Sequence, residues 1–392
     1  MQPLDYRQPL FIVDENVARL NIRRMKGKAA RLNLKLRPHF KTHNSAEISN
    51  WFREEGIQTI TVSSSEMAAY FASYGWKDIT IAFPVNQHDI YFLDQLASKV
   101  SLSLVVADLT TVALINEKIS HKVSLFIKCD TGYGRAGIKA ENSDLFITIA
   151  DQITSFGRHQ FAGLLLHDGH TYKASGFDEI EAIREETSRR IGHLRKELSL
   201  KGYDNLIISA GDTPSCTVSE KWDEIDEIRP GNYLFYDLQQ YSKSICESNQ
   251  IAGFCICPVI QVKKEESTVL IHGGAVHFGK DTALINGEPV FAAGWKFLSD
   301  QEDSQTKNHA FIKSKSDDNF GKITHPSEFN CFLSTVSQEH GTVKITGDLI
   351  NEIEVGDLLL LVPAHSCLTA RQFNFFYSDS GNRLETGNGL IR

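Results

Sequence analysis

Two stretches of the chain carry residues able to do covalent and metal chemistry. The first is Arg37-Pro38-His39-Phe40-Lys41-Thr42-His43, where Lys41 closes an apolar run with His39 two positions before it and His43 two after. Lysine is the side chain that forms Schiff bases with carbonyl cofactors. Strand alternation would place His39, Lys41 and His43 on one side, and neighbouring cations with partial burial would lower the amine's pKa. An ordinary loop lysine is the alternative, and the flanking imidazoles weigh against it. The second stretch is His365-Ser366-Cys367, behind the apolar run 358–362. Ligands at i and i+2 of an extended segment face the same way and could share a divalent metal, with His and Cys favouring Zn2+ over magnesium or calcium. Two protein ligands leave coordination positions open, as in catalytic sites. A histidine and a cysteine without metal remain an equal alternative on spacing alone.

Further candidates sit on polar or glycine-rich loops. Gly211-Asp212-Thr213-Pro214-Ser215 could cradle a phosphate with backbone N–H groups and hydroxyls, or could be a capped strand-to-helix turn. Gly231-Asn232-Tyr233 strengthens the phosphate reading. Arg135, in Gly134-Arg135-Ala136-Gly137, could hold an anionic oxygen of a cofactor ring or simply be solvated. His170 and Tyr172 could stack on or hydrogen-bond such a ring, or merely pack their loop. Cys129, Cys255 and Cys257 read as core. Glu339-His340-Gly341 reads most simply as a turn between strands, with a role in the pocket as the lesser alternative.

These residues need a scaffold. Short apolar runs at 34–38, 59–62, 78–82, 101–107, 123–129, 161–166, 205–209 and 233–235 alternate with helical patterns at 45–55, 64–74, 89–96, 110–119, 144–154 and 178–198. Eight strands alternating with helices predict an α/β fold, a (β/α)8 TIM-type barrel over 1–248. Its polar loops follow the strands, on the face where such barrels do chemistry. Beyond about residue 249 the pattern becomes alternating, at 254–262, 268–271, 332–336, 342–345, 358–362 and 373–377, which predicts a C-terminal all-β domain over 249–392. The run 11–14 is a further strand, ahead of a helix near 15–31, that can pair with this domain. A polar surface insertion is expected at about 300–328.

Lys and Arg number 41 against 49 Asp and Glu, a net charge of −8 without any basic cluster. That argues against nucleic acid and anionic membrane as partners. No run approaches the roughly 18 apolar residues that span a bilayer. The start lacks a secretory pattern, and the seven scattered cysteines suggest a reducing, cytoplasmic setting.

Taken together, the chain resembles the fold-type III pyridoxal-phosphate enzymes, and within them the D-serine dehydratase and D-threonine aldolase group related to alanine racemase. The likeness runs through Arg-Pro-His-Phe-Lys-Thr-His around Lys41, Asp-Thr-Gly-Tyr-Gly-Arg-Ala-Gly ending at Gly137 and His-Asp-Gly-His-Thr-Tyr ending at Tyr172. It continues through Ser-Ala-Gly-Asp-Thr-Pro from Ser209, Arg-Pro-Gly-Asn-Tyr from Arg229, Gln-Glu-His-Gly from Gln338 and Pro-Ala-His-Ser-Cys from Pro363. The resemblance implies pyridoxal 5'-phosphate on Lys41, with Arg135 at the ring hydroxyl and Tyr172, Thr213, Gly231 and Asn232 at ring or phosphate. His39, His170, Gly211, Asp212 and Tyr233 belong to the same expected pocket. It also implies a metal on His365 and Cys367, a His-x-Cys pair resembling the zinc-dependent dehydratases, where the aldolases tend to carry His-x-Asp. A head-to-tail homodimer with the active site at the interface is implied too. The expected reaction is elimination from a D-3-hydroxy amino acid such as D-serine. An aldolase is the first alternative, then a racemase, then a non-catalytic pyridoxal phosphate carrier. One stretch departs from the pattern: where the family usually has Asp-Ala-Gly, this chain has His272-Gly273-Gly274-Ala275-Val276-His277.

Overall fold

A computed structural model describes residues 4–298, 309–313 and 322–389. Its parallel barrel runs, in spatial order, Lys35–Leu36, Glu227–Ile228, Ile207–Ala210, Gln160–Leu165, Ser124–Asp130, Ser101–Val106, Asp78–Pro84 and Thr59–Val62. A single bridge between His39 and Thr61 closes the ring, so the segment bearing Lys41 is the barrel's seam. Helices cover the outside, and side-chain caps set where they begin. Ser45, Ser64, Asp108 and Asp212 each accept a hydrogen bond from the backbone N–H three residues on.

The eighth strand is not the expected one. Residues 233–235 fall at a short turn of 3-10 helix, Asn232–Leu234, and the strand is Glu227–Ile228 instead. Its charge hid it. Glu227 points into the barrel, accepting from Arg37 Nε at 2.8 Å and Ser209 Oγ at 2.6 Å. A strand whose inward side chain is an ion-pair partner gives no apolar signature.

The β-domain is one long sheet curled on itself. Leu358–Pro363, wholly buried, pairs with both Gly253–Lys263 and Ala292–Leu298 and so ties together two strands that lie apart in the sheet order. Leu10–Val13 pairs antiparallel with Gly253–Lys263 and parallel with Phe375–Ser378, so the chain begins in the β-domain and then enters the barrel. Ala292–Leu298 was not expected as a strand. Its glycine weakens the pattern, yet Gly294 is what lets the backbone of Leu360 approach, since a Cβ there would run into the Leu360 carbonyl. Within the polar insertion expected at 300–328, residues 300–308 and 314–321 lie outside the described residues. The remainder extends the sheet through His309–Lys313 and Lys322–Thr324. Cys129, Cys255 and Cys257 are buried and free, as core residues. Among the described residues, no helix is long and apolar enough to cross a membrane.

Candidate active site

Lys41 is placed by main-chain bonds on both sides of the seam: His39 N donates to Pro230 O and Phe40 N to Thr61 O, each at 2.9 Å. Phe40 is fully buried in an aromatic cluster with Phe52, Phe71 and Trp76. His43 belongs to that cluster and not to the mouth. Its ring stacks on Phe52, its Nδ1 accepts from Ser45 N at 3.0 Å, and burial pushes its pKa down to about 3. The strand ends at Leu36 and the chain turns, so alternation does not carry His39, Lys41 and His43 onto one side. Lys41 itself is exposed in the single chain rather than partly buried.

The imidazoles that sense Lys41 are His39 and His167. Both are held neutral by burial first, and the charge on Lys41 lowers them further; His167 falls to about 3. His167 Nδ1 donates to Gly211 O at 2.8 Å, leaving Nε2 as an acceptor. His167 was not singled out in the sequence, although its place directly after strand Gln160–Leu165 was the available signal. Lys128 was missed for a different reason. It lies in an apolar strand, and burial, then Arg229, depresses its amine to about 8.

Loop 211–215 packs tightly against the seam. A Cβ on Gly211 would lie 2.6 Å from Arg229 N, and one on Gly231 would lie 2.8 Å from His39 O, so both loops require glycine for this approach. Tyr172 Oη accepts from Thr213 N at 3.2 Å. Thr213 Oγ1 and Ser215 Oγ are buried with no hydrogen-bond partner, the kind of orphaned donors a phosphate would satisfy. Asp212 serves the loop itself: its carboxylate accepts from Ser215 N and Thr171 Oγ1, both at 2.8 Å. Burial, then the charge of Asp168, pushes it up to about 6. Asn232 donates to Asp237 Oδ2 at 2.5 Å, and Tyr233 is buried behind it. Arg135 is exposed, with its guanidinium 5.2 Å from the Tyr133 ring, which in turn stacks on His170. Beneath this stack, Asp168 accepts from Thr131 Oγ1, Thr187 Oγ1 and Arg184 Nη1, a buried knot that ties two mouth loops to helix Phe177–Ser199.

The metal candidates arrive from the β-domain. His365 is still extended, but helix Ser366–Arg371 begins at the next residue, so Cys367 is helical and strand alternation does not orient the pair. The helix start is pinned by Ser366, whose N–H donates to Asp237 Oδ2 and whose hydroxyl donates to Tyr236 O. Cys367 Sγ lies 3.1 Å from Thr42 Oγ1, so the thiol meets the residue next to Lys41. His365 Nδ1 is 2.7 Å from Asp281 Oδ2. A carboxylate can only accept, so Nδ1 donates and Nε2 is the nitrogen turned away from Asp281. Burial alone would lower His365, but its bonds to Asp281 and Cys367 raise it to about 10. An imidazole oriented by a carboxylate beside a thiol is a donor set suited to zinc. Neither Thr42 nor Asp281 could be assigned from sequence spacing.

This architecture, a parallel barrel joined to a curled β-domain with a lysine at the seam, defines the alanine racemase class of fold. The alanine racemase N-terminal domain model matches residues 13–239, and a serine dehydratase domain model matches 252–378. The chain belongs to this family of fold-type III pyridoxal-phosphate enzymes. It is 28% identical over 398 residues to a D-serine dehydratase of Dictyostelium discoideum, covering 94% of this chain and 92% of that one. It is 24% identical to the D-threo-3-hydroxyaspartate dehydratase of Delftia sp. (strain HT23), covering 93% and 92%. The solved structure of that dehydratase superposes with a TM-score of 0.83 over 98% of this chain and 97% of that one, at 23% identity. D-threonine aldolase from Filomicrobium marinum has the same fold, with a TM-score of 0.78 at 18% identity over all of both chains.

Proposed function

We propose that the protein eliminates water from a D-3-hydroxy amino acid such as D-serine, after which the released enamine takes water back on hydrolysis to give a 2-oxo acid and ammonia. The observation that supports this reading is the 3.1 Å approach of Cys367 Sγ to Thr42 Oγ1, which sets the segment bearing His365 and Cys367 beside the segment bearing Lys41. Pyridoxal 5'-phosphate would be held by Lys41, by Arg135, His170 and Tyr172 at its ring, and by loops 211–215 and 231–233 at its phosphate. The orphaned hydroxyls of Thr213 and Ser215 support that placement. Bound there, the cofactor supplies an electron sink that acidifies the substrate's Cα–H. Lys41 would take and hold that proton. His39 and His167, kept neutral beside it, add no competing positive charge. His365 and Cys367 would hold a divalent metal, Zn2+ by donor type, whose chemistry is to polarise the β-hydroxyl. Lys41 and Arg135 stand exposed in the single chain, which is consistent with a homodimer closing over the mouth.

The test is product analysis with D-serine, D-threonine and D-threo-3-hydroxyaspartate, with and without a chelator. Pyruvate from D-serine and 2-oxobutyrate from D-threonine, both lost on chelation, are expected. Glycine plus acetaldehyde from D-threonine would establish the aldolase instead. No turnover of any D-3-hydroxy amino acid by metal-loaded protein sinks the reading.

A further inference from the structure

The stretch where this chain departs from the Asp-Ala-Gly pattern brings His272 and His277 together with Glu339 from a different hairpin. One ligand atom from each of the three lies within 4.8 Å of the others. The two segments are locked to each other by the backbone. His272 pairs with His340 in the sheet, Gly273 N donates to Glu339 O, Ala275 N to Ser337 O and Val276 N to Gln338 O. A Cβ on Gly274 would lie 2.5 Å from the carbonyl oxygens of both Ser337 and Gln338, so glycine is what allows the turn to close here. The three side chains therefore project from a rigid frame and not from independent loops.

The ring chemistry also suits a ligand set. His272 Nδ1 donates to Arg7 O at 3.3 Å, so Nε2 is the nitrogen turned toward the cluster, 3.9 Å from Glu339 Oε2. His277 Nδ1 accepts from Gly274 N at 3.2 Å, so its lone pair is occupied only by a long hydrogen bond that a cation could displace. Burial, then the nearby His272, lowers the His277 pKa and keeps the ring neutral. Glu339 supplies the one negative charge, raising that ring only weakly in comparison. Two imidazoles and a carboxylate select zinc-like transition metals over calcium or magnesium and leave a coordination position open.

We propose that His272, His277 and Glu339 form a second divalent-metal site, distinct from His365–Cys367, that takes a zinc-class cation and clamps the first hairpin of the β-domain to the 337–339 turn. The proposal does not depend on the reaction assigned above.

Cobalt(II) separates the two sites in one experiment, because only Cys367 can give a thiolate-to-cobalt charge-transfer band. The full-length, pyridoxal-phosphate-loaded protein is stripped with chelator and titrated with Co2+. Two bound equivalents are expected in the wild type. His365→Ala/Cys367→Ala should retain one equivalent without the thiolate band. Glu339→Gln, at an exposed side chain that packing does not need, and His277→Ala should each lose or weaken at least tenfold one equivalent while keeping that band. A single wild-type equivalent lacking the thiolate band, lost in Glu339→Gln, would support this site while removing the His365–Cys367 reading. The proposal is overturned if the His365→Ala/Cys367→Ala protein binds no cobalt, or if both Glu339→Gln and His277→Ala bind as the wild type does.

Discussion

The barrel mouth and the β-domain build their halves of the proposed site by opposite strategies. At the mouth, each chemical residue lies within a few positions of the strand that presents it: Lys41 after Lys35–Leu36, Arg135 after Ser124–Asp130, His167 after Gln160–Leu165 and Thr213 after Ile207–Ala210. In the β-domain, the groups come from separate parts of the chain. Asp281 reaches His365 across 84 residues, and Glu339 reaches His272 and His277 across a hairpin. The first design is robust to drift in distant sequence, because one strand end positions one residue. The second depends on several elements packing correctly at once.

Substitutions can break this contrast from either side. The largest effect is expected at Lys41: Lys41→Ala should lower kcat by about 10^2- to 10^4-fold and abolish the cofactor's covalent absorption band, while thermal stability stays near that of the wild type. Stability held with chemistry lost is the signature of a residue carried on a strand end.

Removing the support beneath the mouth should do the reverse. Arg184 and Asp168 are an ion pair with both side chains almost wholly buried, and the Arg184 guanidinium lies over Trp222. Arg184→Ala strands the Asp168 charge and should cost about 3–5 kcal/mol in denaturant unfolding. A loss below about 1 kcal/mol would show that the mouth loops do not rely on that knot.

The β-domain half is sharpened by Asp281. It touches His365 but not Cys367's neighbour Thr42, so Asp281→Asn should preserve the fold and weaken zinc affinity by about 10- to 100-fold, read by competition with a chromophoric chelator. Unchanged affinity would mean that the carboxylate does not orient the imidazole.

A pH-dependent effect lies where the two halves join. Asp379, buried at the end of strand Phe375–Ser378 and bonded through its N–H to Val13 O, is pushed up to about 7 by burial and then by the charge of Asp14. An unfolded aspartate titrates near 3.9, so the folded state holds this proton more tightly. Its contribution to stability is therefore full below about pH 4, falls as pH rises to about 7, and is level above that. Asp379→Asn should flatten that slope in melting temperatures measured across the window.

Much of this was legible before the structure. Strand-end loops at 41, 135, 170–172 and 211–215 follow from apolar runs and the residues that interrupt them, and the Ser45, Ser64 and Asp212 caps bond only three residues away. Where the local rule failed, a charge or a glycine had a distant reason to be there. Glu227 masks a strand because it faces Arg37, and Gly294 masks another because it faces Leu360.

Periodicity and capping are short-range, so the order of elements and the residues at each strand end were decided by the chain's own local pattern. Which way those side chains face was not. His43 turned into an aromatic cluster, Lys41 stayed open to solvent, and Cys367 came to rest against Thr42, 325 residues away. Those outcomes depend on how a barrel seam and a curled sheet pack together, a long-range balance of burial and hydrogen bonding that no window of neighbouring residues contains.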